Sequence, residues 1–164
     1  MSPRILVAGI GNVFLGDDGF GSETARRLAA EPFPDAVKVT DYGIRGMHLA
    51  FDLLDGYETL VIIDAMPRGG SPGDLVVLEI GQDDLGPGEF DAHGMEPASV
   101  LASLAALGGR LPPRTLLVGC EPAGVEEGIG LTPAVEAAVE RAVTTVKTII
   151  ASELANQPDL SESV

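Results

Sequence analysis

The chain has 164 residues, 45% of them hydrophobic, enough apolar side chain for one globular core, which excludes disorder over most of its length. Aromatic residues make up only 4% and Trp is absent, so the core must be aliphatic, a composition that suits a parallel sheet covered by helices. A formal net charge of −15 sets up a field that repels phosphate backbones and argues against nucleic acid as a partner.

The longest apolar runs, Ile5 to Ile10 and Leu60 to Ile63, fall far short of the roughly 18 to 20 residues of a membrane span, so no membrane insertion is expected. The N-terminal residues carry no signal-peptide pattern, and the single cysteine cannot form an internal disulfide. Both features fit a cytoplasmic protein.

In chain order, Arg4 to Ile10 is an apolar run ended by Gly11 and Asn12, which predicts a buried strand running into a turn. Phe20 to Ala30 is expected to be a helix, stopped by Pro32 and Pro34. Val37 to Asp41 alternates like a strand, and a helix follows from about Met47 to Asp55, closed by Gly56. Thr59 to Ala65 is the strongest buried strand. The next strand, Asp74 to Ile80, follows too soon for a parallel crossover and must run antiparallel.

Gly81 to Gly94 is a long acidic, glycine-containing loop, of a length usually functional or mobile in compact domains. A helix from about Glu96 to Leu107, with Pro97 in its first turn, precedes the last strand, Thr115 to Cys120. Thr132 is placed to cap a final helix that begins at Pro133 and ends near Ala155, with Val135, Val139, Val143, Val146 and Ile150 at helical spacing. The expected fold is a single three-layer α/β/α domain over residues 1–155, with a mostly parallel five-stranded sheet carrying one antiparallel strand. Residues 156–164 read as a flexible acidic tail.

In open α/β sheets, sites form at the C-terminal ends of the parallel strands. There the sequence puts Asp17 and Asp18 after the first strand, Asp41 at the end of the second, Asp64 at the end of the third and His93 in the long loop. Carboxylate oxygen and imidazole nitrogen are donors that a divalent transition metal accepts, and three protein ligands leave positions open for a further one. Each residue also has a plainer reading: Asp17 or Asp18 as a helix cap, Asp64 as a loop brace, His93 as a solvated side chain. His48, inside a helix, is expected to be partly buried, and Cys120 a small core residue.

No Gly-x-Ser-x-Gly elbow, His-Glu-x-x-His helix or Cys-x-x-Cys pair occurs. Gly9-x-Gly11 lacks the third glycine of a dinucleotide loop, and Asp17 and Asp18 would repel a pyrophosphate. A receiver-like magnesium and phospho-acceptor module would require a basic group after the last strand, where Gly119-Cys120-Glu121-Pro122 stands.

Several stretches together resemble the hydrogenase maturation endopeptidases, which remove a C-terminal extension from the large subunit of nickel-iron hydrogenases. They are Gly9-Ile10-Gly11-Asn12, Gly16-Asp17-Asp18-Gly19-Phe20-Gly21, Asp41-Tyr42-Gly43-Ile44-Arg45-Gly46, Val61-Ile62-Ile63-Asp64-Ala65, His93 and Gly130-Leu131-Thr132-Pro133. The resemblance implies that Asp18, Asp64 and His93 are the metal-binding and catalytic positions, with Asp17 or Asp41 as auxiliary carboxylates. It also implies that the metal is nickel supplied by the precursor, a site that zinc or cadmium could occupy in vitro, and that the partner is the nickel-loaded large-subunit precursor. Many relatives carry Glu where Asp18 stands, so this side chain is one methylene shorter. A non-catalytic metal-sensing chaperone of hydrogenase assembly is the alternative reading of the same rim. The tail, which has no apolar period, yields a direct expectation: truncation after Ala155 leaves the melting temperature and activity unchanged.

Overall fold

The computed structural model describes residues 4–81 and 103–156. In chain order they form β1 (Ile5–Ile10), a 3-10 turn (Gly16–Gly19), α1 (Phe20–Ala29), β2 (Val37–Gly43), α2 (Gly46–Leu53), β3 (Thr59–Ala65), β4 (Leu75–Glu79), β5 (Arg114–Cys120) and α3 (Pro133–Asn156). Residues 103–106 are also helical, within the range predicted for the helix of Glu96 to Leu107. Leu107 is a turn residue, and residues 96–102 of the predicted range, most of the acidic loop with His93, and residues 157–164 lie outside the described residues.

The strand order is β2-β1-β3-β5-β4, with every pair parallel except β4 against β5. Antiparallel β4 follows from chain length, because the connection from Ala65 to Leu75 cannot return along the sheet and instead reaches its edge. From β1 the chain moves one way to β2 through α1, then back past β1 to β3 through α2. Right-handed crossovers in opposite directions put the two helices on opposite faces of the sheet.

Alternation along each strand divides the core accordingly. Ile5, Val7, Val61, Ile63, Val118 and Cys120 pack with Phe20, Leu28, Val139 and Val146 of α1 and α3. Leu6, Ala8, Ile10, Leu60, Ile62 and Leu117 pack on the other face with Leu49 and Leu53 of α2 and with Leu104. Cys120 is fully buried, as its apolar surroundings in the sequence suggested, and burial pushes its thiol up to about 11. It is therefore not a nucleophile at neutral pH. His48, by contrast, is exposed and not partly buried, because the buried face of α2 is Leu49, Ala50 and Leu53. No helix among the described residues is long and apolar enough to cross a membrane.

The contact that sets the height of α1 above the sheet is made by glycines. A Cβ on Gly21 would lie 2.2 Å from the Ile63 carbonyl oxygen and 2.3 Å from that of Ile10, and one on Gly9 would lie 2.2 Å from the Gly21 carbonyl oxygen. Helix and strands thus meet backbone to backbone, where no side chain can yield. Gly21→Ala is expected to cost at least about 2 kcal/mol and to lower the melting temperature by roughly 5 °C or more, read by calorimetry.

Candidate functional site

The strand order reverses at β1, so the crevice at the switch point opens between the C-terminal ends of β1 and β3, which pair directly with Gly9 opposite Ile63. Asp64 follows Ile63 at that end of β3 and is 8% exposed. Asp41 stands on the far side of β1, in register with Gly9, and its Oδ1 accepts the Gly43 N–H at 3.0 Å. The Gly11 N–H donates to the Gly43 carbonyl at 3.0 Å, which ties the turn after β1 to the end of β2.

Between β1 and α1 the chain folds back on itself. Gly11 has φ +137°, and a Cβ there would fall 2.0 Å from the Asp18 carbonyl oxygen, so this close return requires glycine. The return lets Asp18 Oδ2 accept the Asn12 N–H at 2.7 Å. A half-buried carboxylate is thereby held against the C-terminal end of β1. Neither Asp17 nor Asp18 caps a helix: the residues preceding the 3-10 turn and α1 are Leu15 and Gly19, and neither position has a side-chain cap.

The two adjacent aspartates have opposite fates. Asp17 is fully buried, and its carboxylate accepts four hydrogen bonds. They come from the N–H groups of Ala123 (2.8 Å), Gly124 (3.1 Å) and Thr132 (2.7 Å) and from the Thr132 hydroxyl (2.8 Å). Burial works against its charge, but the bonds from Thr132, Ala123 and Gly124 outweigh it and hold the carboxyl below its ordinary value. Asp17 therefore fastens the loop between β5 and α3 to the turn after β1 and is turned away from the rim. Thr132, predicted as a cap, uses its hydroxyl on Asp17, while its carbonyl accepts the Glu136 N–H that opens α3.

A second buried carboxylate does similar work after β3. Glu121 Oε1 accepts the N–H groups of both Arg68 and Gly70 at 2.8 Å, pinning the loop that follows Asp64 to the end of β5. Sequence reasoning had no signal for this role, since a glutamate before a proline at a strand end reads as surface. The structure thus brings Asp18, Asp41 and Asp64 to the same end of the sheet and removes Asp17 to the interior. Among the described residues no group of three or more His, Cys, Asp or Glu side chains could by itself hold a metal, and His93 lies outside them.

Residues 22–149 match a family model described as hydrogenase maturation protease. The chain is 36% identical over 149 residues to the hydrogenase 2 maturation protease of Escherichia coli K12, covering 87% of this chain and 88% of that one. It is 36% identical over 146 residues to the hydrogenase expression/formation protein HupD of Rhodobacter capsulatus, covering 85% and 68%. Among solved structures, the hydrogenase maturating endopeptidase HybD of E. coli superposes with a TM-score of 0.78 at 32% identity, over 92% of this chain and 93% of that one.

Asp17→Asn places an amide NH₂ against backbone N–H donors and is expected to cost about 3 kcal/mol. Because the folded value lies below the ordinary one, the stability this group contributes is complete above about pH 5 and is lost as pH falls through the folded value. Urea unfolding between about pH 5 and pH 2 should therefore show a shallower loss of stability in the variant than in the wild type.

Proposed function

The chain belongs to the hydrogenase maturation protease family and is an endopeptidase of that class, and on that premise we propose that it removes the C-terminal extension of a nickel-iron hydrogenase large-subunit precursor after nickel insertion. In this reading Asp18, Asp64 and His93 meet the nickel already held by the precursor. The observation that supports it is the convergence of Asp18 and Asp64 at the ends of paired β1 and β3, at the switch point of the sheet. His93 enters on its chemistry and on the family resemblance.

The donor set suits a visiting metal better than a resident one. Two carboxylates and one imidazole, with no thiolate, make an open three-ligand site, and the carboxylates, one on the turn after β1 and one at the end of β3, repel each other as like charges when no metal is present. When the precursor docks, its nickel would relieve that repulsion, so only metal-loaded precursor would be bound productively. A divalent ion at such a set supplies polarisation of a carbonyl or of a bound water. Asp41, held through Oδ1 by Gly43, is the rim carboxylate left to move a proton during cleavage. Asp17 has no such part, because its oxygens are occupied by four donors. The enzyme works in the cytoplasm in this account, where its one thiol stays reduced.

Two measurements test the reading. Chelator-treated enzyme should shorten nickel-loaded precursor and leave matched nickel-free precursor intact; equal cleavage of both would remove nickel as the handle, and cleavage restored only by added zinc would indicate a resident-metal protease. His93→Ala and Asp18→Asn should each slow processing at least roughly tenfold with little change in melting temperature. Full processing by either variant would take that residue out of the site.

A further inference from the structure

The turn after β1, which carries Asp18, forms with the loop before α3 and the starts of α1 and α3 a pocket of about 220 Å³. Its apolar walls are Val13, Ile129 and Leu131, and its polar wall is Glu23, Arg26 and Glu136. Ile129 is 80% exposed, Val13 39%, and the neighbouring Phe14 63%. Large apolar side chains so exposed usually lie on loops free to move, yet this backbone is fastened. Gly128 donates to the Phe14 carbonyl at 2.9 Å, Gly16 donates to the Gly128 carbonyl at 2.8 Å, and Asp17 locks both loops from below. The result is a preorganised pocket, one wall apolar and one polar, on the segment that carries Asp18, with the acids of its polar wall paired to Arg26 and Arg27.

We propose that this pocket is an exosite for the hydrogenase large-subunit precursor, taking one large apolar side chain that basic residues flank on the precursor's surface. The inference rests on the proposed function for the identity of the occupant. The apolar part of the occupant follows from the walls of Val13, Ile129 and Leu131, while Glu23, Glu136 and Glu140 share, among the described residues, only Arg26 and Arg27 and so keep a net negative charge that favours a basic flank. The basic flank follows from exposed Glu126 and Glu127 beside Ile129 and from a net charge of −15. The shared turn supplies the purpose: Gly16 and Gly19 of the pocket flank Asp18, so an anchor seated here would hold the precursor's body while its C-terminal segment crosses the rim at Asp18 and Asp64.

The test compares binding and processing of nickel-loaded precursor by wild type, Val13→Asp and Ile129→Asp, with Val77→Ser as an exposed apolar control on β4, at the sheet edge. Both pocket variants should weaken binding and raise KM at least about tenfold while kcat and melting temperature hold, and the control should match the wild type. Raising salt from about 0.05 to about 0.3 M should raise KM for the wild type more than for a Glu126→Gln, Glu127→Gln double variant. Wild-type binding and KM in both pocket variants would overturn the proposal. So would a wild-type dimer that the variants dissociate without a change in KM, since the pocket would then serve a second copy. Precursor that binds through Ile129 but is not shortened would leave the exosite standing and defeat the processing reading; precursor that neither binds nor is shortened would defeat both.

Discussion

Much of the rim depends on one buried charge. A carboxylate without contact to water must have its lone pairs filled, and at Asp17 they are filled by three backbone N–H groups and a hydroxyl from a loop more than a hundred residues away in sequence. Charge-assisted bonds to backbone fix the main chain itself, so the loop before α3 cannot shift without uncovering an ion. Fixing Asp17 inward also fixes its neighbour, and Asp18 is left to turn back onto Asn12 at the end of β1.

Glu121 repeats the device on the other side of the crevice, where one oxygen gathers two N–H groups of the loop after Asp64. Buried acids of this kind order loops in a chain whose other described acids mostly face solvent and whose net charge is −15. The glycine contact between α1 and the strands completes the frame, since Gly9 and Gly21 let the helix start sit directly on β1 and β3. Rigid support under a half-buried carboxylate is what a site must have if an incoming metal, and not the protein alone, is to complete its coordination.

The same rigidity holds part of the exposed apolar surface in place. Phe14 and Ile129 are held outward on loops pinned from beneath, while the core itself is satisfied on both faces of the sheet. For the docking proposed above, a fastened pocket would hold its occupant without the entropy cost of ordering a loop.

The order of elements was written in the sequence. Five apolar runs separated by helical periods and glycine turns specify a three-layer sheet protein, and the short link before Leu75 dictates its one antiparallel strand, because the covalent chain cannot return in fewer residues. The positions of Asp18, Asp41 and Asp64 at strand ends follow from the same pattern, since residues that end parallel strands share one edge of the sheet. Which of Asp17 and Asp18 faces the rim was not decided by any local signal, because both stand at a helix start with equal chemistry. That choice, like the grip of Glu121 and the backbone contact at Gly21, was made by partners distant in sequence, Ala123, Gly124 and Thr132 for Asp17, Arg68 and Gly70 for Glu121, Ile10 and Ile63 for Gly21. Local periodicity records which face of an element is apolar, but the satisfaction of a buried charge depends on where separate loops meet, and only the folded chain brings them together.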